Sequence, residues 1–473
     1  MAFFIPGEQK IRPGVYKRYE NIGESPVAGA DNTTCAAVFT ADWGPLNTPV
    51  LMTSFADVGR TFGEGGSVDV ALEQFRGGAQ RVRGIRMGTG GTEGSYEILD
   101  ASSGPVVQLT LNYPGSRPFS VTVRPTLEDP SLNELLLLDG TTIVERVRFD
   151  ATPDADQGAA LIAAAQNSSF FTLTSLGAST DPLATVDQAP ITPGTDPTVG
   201  TVTEYTNAFD ALESYRWSVL SVDTSDPAIL GMVQGFVNRV YEAGNSAIAS
   251  IGEPISVPLE TRIQNAASYN DYQMVYVGTG FVDRSGSVVD GYLAAARIAG
   301  MIASTPSSEA ITRMEIAGAV GLAEDLSNHE YEQAILSGML TFSMSAANTV
   351  WVEQGITTLV APSGNVDAGW QKIKRVRVRF ELFQRLTDTV EPLIGRINNN
   401  DDGRMTVIQL GNAVCNTMIS ENKLLIGART LIDPENVPQG DSAWFLVYAD
   451  DIDALEKMYF TFRFRFSPEV LNA

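Results

Sequence analysis

The chain of 473 residues has two cysteines, one histidine and no Gly-Lys dipeptide anywhere. Cys35 and Cys415 stand far apart and outside any C-x-x-C or zinc-type spacing, so they read as two reduced, buried thiols. A single histidine, His329, leaves any Ser-His-Asp, Cys-His or His-liganded metal mechanism to that one residue. Its setting, Leu326-Ser-Asn-His-Glu-Tyr-Glu, reads as the polar opening of a helix. Without Gly-Lys there is no Walker loop to reach a phosphate, which excludes P-loop NTP hydrolysis. Apolar runs such as Ala159 to Ala165 and Leu135 to Leu138 fall far short of the roughly 18 residues that suggest a membrane span. The opening Met1-Ala-Phe-Phe-Ile-Pro-Gly carries no cation before Lys10 and is too short for a signal core, so synthesis in a cytoplasm is expected.

Basic charge is also scarce: 32 Lys and Arg face 56 Asp and Glu, for a formal charge of −24. Such a chain repels phosphate and anionic lipid, so neither nucleic acid nor direct membrane insertion is expected of it. The acidity is concentrated in the middle. Residues 92–200 hold four arginines against fourteen acids and residues 201–344 hold six against seventeen, whereas the two ends are near neutral. Two segments imitate ligand loops and fail at a decisive position. In Gly88-Thr-Gly-Gly-Thr-Glu-Gly94 the third glycine of a dinucleotide loop is Glu93, which leaves a linker. In Asn398-Asn-Asn-Asp-Asp-Gly403 the twelfth position of a calcium loop is Gln409, which leaves a turn and helix cap. No cofactor, metal or catalytic residue is expected.

What is present is a mixed α+β and α/β multidomain pattern. Strand-like runs at Thr33–Thr40, Pro49–Thr53, Arg81–Met87, Arg216–Val222, Ala247–Ile251 and Gln273–Val277 alternate with helical stretches. Among the helices, Asp226-Pro227 predicts an N-cap with proline at the first helical position, and Tyr292–Ala303 is apolar almost all round. Residues 26–91 plus 201–344 therefore read as a discontinuous α/β middle domain. Residues 92–200 change to period-two runs, Val106–Leu111, Phe119–Arg124 and Ile143–Phe149, with a helix near Asp156–Gln166, and read as a β-rich, barrel- or sandwich-like insertion.

Residues 345–473 form a C-terminal domain with two alternating segments. Lys372–Phe380 sets Val376, Val378 and Phe380 against Arg375, Arg377 and Arg379, and is expected to be a strand whose cationic face is a solvated or protein-facing sheet surface or else contacts an acidic partner, another subunit or a central tube. The second, Met458–Phe466, places Phe460, Phe462, Phe464 and Phe466 on one side of a terminal strand that needs a partner. At the other end, residues 1–25 form an arm. Its strand-like stretch Lys10–Tyr19, with Ile11, Val15, Tyr16 and Tyr19, has no evident hairpin partner, and its backbone groups are expected to complete another chain's sheet edge.

Five motifs in order resemble the contractile phage tail sheath proteins, especially those of Gram-positive phages and phage-tail-like bacteriocins. These are Ile11-Arg-Pro-Gly-Val-Tyr16, Asp42-Trp-Gly-Pro-Leu-Asn-Thr-Pro-Val50, Gln354-Gly-Ile-Thr-Thr-Leu359, Ile394-Gly-Arg-Ile-Asn-Asn-Asn400 with Asp402-Gly-Arg404, and Asp453-Ala-Leu-Glu-Lys-Met-Tyr459. Thr357 and Arg396 stand where that family commonly has asparagine and lysine. The resemblance implies a sheath-type inner domain built from both chain ends. It also implies a homopolymer of stacked hexameric rings joined by donated strands around an inner tail tube, with baseplate and tail terminator proteins as further partners, in a virion tail or bacteriocin particle. Contraction would drive the tube through a target envelope without nucleotide. The competing expectations are an α/β hydrolase-type enzyme centred on His329 and a secreted adhesin or surface-layer protein.

Overall fold

A computed structural model describes residues 2–3, 16–17, 33–129, 131–152, 155–199, 202–364 and 366–464. At its centre is a seven-stranded sheet in the order Met339–Leu340, Met274–Val277, Ile248–Gly252, Val219–Val222, Thr34–Phe39, Arg81–Arg86, Val50–Met52. All pairs are parallel except the last, where Val50–Met52 runs antiparallel to Arg81–Arg86. The continuous burial of Thr34-Cys-Ala-Ala-Val-Phe39 follows from a strand covered on both faces. Cys35, Ala37 and Phe39 enter one core, and Ala36 and Val38 the other.

Helix α1 (Asp69–Arg76) and helix α2 (Gly291–Ser304) cover the first face; helices Val202–Glu213, Pro227–Glu242 and Leu259–Tyr269 cover the second. The expected cap is observed: the Asp226 carboxylate accepts from the Ala228 amide at 2.8 Å, with Pro227 in the first turn. Helix α2 is buried from Ala294 to Ala303, as its all-round apolarity predicts. Where α1 and α2 cross, glycine is required, because a Cβ on Gly300 would lie 2.0 Å from the Gln74 carbonyl oxygen and one on Gly77 would lie 2.3 Å from that of Arg297.

The β-rich segment forms two sheets around their own core. One is ordered Thr142–Asp150, Leu132–Asp139, Phe119–Pro125, Val186–Pro190; the other is ordered Phe171–Ser175, Pro105–Pro114, Glu93–Leu99. The entering glycine segment is not a free linker. Thr89, Thr92 and Ser95 pair antiparallel with Thr198, Thr195 and Thr192 of the returning chain, which makes a two-stranded connection. Trp43, from the Asp42–Val50 motif, plugs this core. Its ring stacks on Phe170 at 5.1 Å and meets Tyr113 and Phe119 edge-on. Buried Arg86 ties the same junction by donating to the carbonyls of Ala41, Gly44 and Pro114.

Two expectations about the C-terminal part are corrected. Lys372–Phe380 is not a strand: Ile373–Val390 is helix α3, followed by helix α4 (Asp401–Ser420) and the hairpin Arg429–Ile432/Phe445–Tyr448. The alternation arises because α3 is clamped between two layers. Ile373, Val376 and Phe380, spaced three and four apart, enter the core of the central sheet, while Val378 and Leu382 enter a small core with Val414, Cys415 and Met418 of α4. Two interleaved helical stripes add up to a period-two pattern. The phenylalanine segment is likewise no strand through Phe464, the last described residue. A strand needs a ladder partner, and the described part of this chain supplies none there; Phe466 lies outside the described residues.

The asparagine-rich turn acts as a helix cap, with the Asn400 side chain accepting from the Gly403 amide at 2.9 Å. His329 is exposed on the helix Asn328–Leu336, behind a capping box of Ser327 and Glu330. Both cysteines are buried and unbridged, and burial pushes the Cys35 thiol up to about 12.

Candidate assembly interface

Three of the sequence motifs meet at one place on the surface. After the hairpin the chain crosses back over α3 as an extended strap. The strap is tied first by backbone: Leu425 N–H donates to Asp450 at 2.8 Å and Ile452 N–H to Lys423 at 3.0 Å. Asp451 then takes hydrogen bonds from Arg375 and Arg379, the latter from Nη2 at 3.0 Å. These arginines are four apart and so share one face of α3. Arg379 also reaches Asp367 and lies over the Trp370 ring at 4.6 Å.

Two residues further on, Lys372 approaches Asp453 at 3.5 Å, and Glu456 is held from three sides by Lys372 at 2.5 Å, Gln354 at 2.9 Å and Thr312 at 2.8 Å. The Gln354–Leu359 motif is itself fastened to the start of α3. Ile356 bridges Lys372, and Thr357 donates its hydroxyl to the Trp370 carbonyl at 3.0 Å. Burial acts to raise the carboxyls of Asp451 and Glu456, but the hydrogen bonds and positive charges of Arg375 and Arg379, and of Lys372 with Gln354 and Thr312, outweigh it. Both are held below the usual carboxylate range.

Beyond Glu456 the character of the chain reverses. Tyr459, Phe460, Phe462 and Phe464 are 89%, 75%, 76% and 93% exposed, and the rings of Phe462 and Phe464 stack on one side at 6.4 Å. A run of exposed aromatics of this kind marks an interaction surface. Near its root lie further apolar side chains in the open, Leu425, Ile426, Trp444 and Tyr448, around a two-stranded hairpin.

The structure thus places Phe460, Phe462 and Phe464 on a projecting tail and turns Arg375 and Arg379 inward onto the strap. Arg377 is buried between α3 and the strands at Val219 and Ile248, where desolvation lowers it to about 10. Of the N-terminal arm only Tyr16–Lys17 and Ala2–Phe3 are described, as a two-residue parallel pair within the chain. Ile11, Val15 and Tyr19 lie outside the described residues. Sequence reasoning missed the anchor Asp451 and gave no anchoring role to Glu456, although the motif Asp453–Tyr459 contains it. Among the described residues no cluster of three His, Cys, Asp or Glu could hold a metal, and no helix is long and apolar enough to cross a membrane.

Residues 199–358 match the family model of the phage tail sheath protein central domain. Over 97% of this chain and 98% of the relative, the chain is 22% identical to the phage-like element PBSX protein XkdK of Bacillus subtilis. The sheath tail protein of Desulfitobacterium hafniense shares its fold, with a TM-score of 0.71 at 18% identity over 96% of this chain and 100% of the other. The anti-feeding prophage helical sheath in its contracted state does so with a TM-score of 0.52 at 11% identity, over 96% and 99%.

Proposed function

We propose that this chain, whose residues 199–358 match the phage tail sheath protein central domain, is the repeating subunit of a contractile sleeve, polymerised as stacked hexameric rings around an inner tube. It is a structural tail sheath protein of a phage tail or tailocin particle, made in the host cytoplasm. Its partners are other copies, the tube, the baseplate and the tail terminator. Contraction proceeds without nucleotide, by sliding subunits while strand links between them persist.

One observation carries this reading: a strap anchored by five side chains, Arg375, Arg379, Lys372, Gln354 and Thr312, ends in an aromatic tail that pairs with no strand among the described residues. Extended backbone out of water costs about 1–3 kcal/mol for each polar group left unpaired, so the tail is complete only against another sheet edge. Donation from copy to copy is head to tail and therefore builds an open helix rather than a closed dimer. Phe460, Phe462, Phe464 and Phe466, with Ile11, Val15, Tyr16 and Tyr19 of the arm, are assigned to these links, and the two-stranded hairpin Arg429–Ile432/Phe445–Tyr448 offers open edges to receive them. In the proposed division into arm 1–25, middle domain 26–91 plus 201–344, insertion 92–200 and C-terminal domain 345–473, the insertion has a core of its own, plugged by Trp43, and the α3–α4 pair a small one, while Val350, Val352, Ile373, Val376 and Phe380 of the C-terminal part share the core of the central sheet.

Electron microscopy of the purified full chain tests the reading. Wild-type protein forms sleeves or rings, whereas deletion of residues 1–20 leaves folded subunits that do not polymerise. Sleeves of normal length from the deletion would overturn strand donation.

A further inference from the structure

An open cleft of about 230 Å3 lies between the C-terminal end of α3, the turn that follows it, the first turns of α4 and the hairpin. Its walls are mainly apolar, with Val390, Leu393, Ile394, Val407 and Phe445, and Ile394 is 76% exposed. The volume is below the roughly 300–1,000 Å3 of a site for a drug-sized molecule and suits a single large side chain. The cleft is also edged with acid. The Asp441 carboxylate accepts from the Ser442 hydroxyl at 3.0 Å and pairs with no described cation, and Glu391, Asp401 and Asp402, close in sequence to the lining residues, are exposed.

The exposed tail has the complementary character. Lys457-Met-Tyr-Phe-Thr-Phe-Arg-Phe-Arg-Phe466 holds five aromatic rings, three cations and no acid. Within one subunit the two stand at opposite ends of α3. The strap runs along that helix from Arg379 and Arg375, bound to Asp451, back to Lys372, bound to Glu456, so the tail leaves beside the N-terminal end. The 18 residues of α3 span about 27 Å, whereas Phe460 and Phe462, four and six residues beyond Glu456, are within about 14 and 22 Å of it even when fully extended. A donor at one end of a helix and an acceptor at the other is the arrangement of a head-to-tail polymer, in which each tail finds its cleft on the next copy.

We propose that the cleft at the C-terminal end of α3 is the seat for an aromatic side chain of the tail of a second copy of this chain, with Phe462, the middle of the three described phenylalanines, as the plug and the acidic rim facing the arginines beside it. This rests on the sleeve reading above and adds to it a side-chain anchor distinct from the backbone pairing of strands. It also accounts for an isoleucine held open to water at the rim, since the tail of the next copy covers it.

Photocrosslinking tests the seat. Sleeves are grown from an equal mixture of light chains carrying p-benzoylphenylalanine in place of Phe462 and 15N-labelled wild-type chains, irradiated, and digested for mass spectrometry. The expected product joins the light peptide containing position 462 to a 15N peptide from residues 390–407 or 441–445. In parallel, Ile394→Arg sets a cation against the cationic tail at an exposed position and raises the protein concentration needed for sleeve growth about tenfold, with an unchanged thermal midpoint, while Ile394→Leu grows as the wild type does. Crosslinks only between light peptides, crosslinks from 462 to another part of the 15N chain, or wild-type growth of the Ile394→Arg protein overturn the proposal and leave the sleeve reading intact. Failure of the wild-type chain to polymerise at all removes the sleeve reading and this inference with it.

Discussion

At the scale of single residues, the strap is held by ionised groups, and the sign of their shifts fixes its pH response. Asp451 and Glu456 are held below the usual carboxylate range, so the docking they supply is fully present above the ordinary carboxylate pKa of about 4 and is lost as pH falls through their lower values. Hydrogen exchange at the Leu425 and Ile452 amides, which bond across the strap, is expected to stay slow at pH 6 and to accelerate selectively in strong acid. Asp451→Ala leaves Arg375 and Arg379 facing each other without their shared anion. It should weaken strap docking by about 3 kcal/mol, read as faster exchange at the same two amides at neutral pH. Trp43 is the other decisive residue. Truncation to alanine removes an indole stacked between Tyr113, Phe119 and Phe170, and an unfolding midpoint shift equivalent to about 3–5 kcal/mol is expected in denaturant titration.

Among the elements, α3 serves two layers at once. Its stripe Ile373, Val376, Phe380 belongs to the central sheet and its stripe Val378, Leu382 belongs to the α4 pair, so the helix couples the two cores. A second coupling is the close crossing of α1 and α2, closed by the buried pair Arg297–Glu73 at 2.7 Å. Gly300→Ala places a methyl against the Gln74 carbonyl at a distance no packing tolerates, so α1 must shift. The expected cost is about 1–3 kcal/mol, measured as a lower thermal midpoint, with the insertion's own strands retained in circular dichroism. The two-stranded connection at Thr89–Ser95 and Thr192–Thr198 gives the insertion a paired hinge rather than a single flexible tether, and the Trp43 plug seats it.

For the whole molecule, charge and termini divide the work. In the proposed sleeve the acidic middle of the chain would keep subunits apart where they only approach, and the near-neutral ends would make the contacts. Deletion of residues 457–473 removes the exposed aromatic tail but none of the anchors at Asp451, Asp453 and Glu456. The truncated chain is expected to keep the wild-type thermal midpoint within about 0.5 kcal/mol of stability and to lose sleeve formation in electron microscopy. Intact sleeves from it would remove the tail from the assembly.

Much of this was legible in the residues. The strands of the central sheet are short, doubly covered and continuously apolar, and Asp226-Pro227 and the Gln354, Ile394 and Asp453 motifs are local signals that need no tertiary context to be read. The fate of Val376-Arg-Val-Arg-Phe380 was not legible, because alternation is produced equally by a strand with one wet face and by a helix packed on two sides, and only the positions of the sheet and α4 distinguish them. Nor could sequence show that Arg375 and Arg379 answer to Asp451, more than seventy residues away, since a salt bridge of that range leaves no periodic trace. Composition and local pattern pointed to a mixed α/β multidomain chain and to the resemblance that its ordered motifs carry. Only the tertiary structure decided which charges are spent inside the subunit, as those of Arg375 and Arg379 are on Asp451, because burial and pairing are properties of surfaces that exist once the chain has folded.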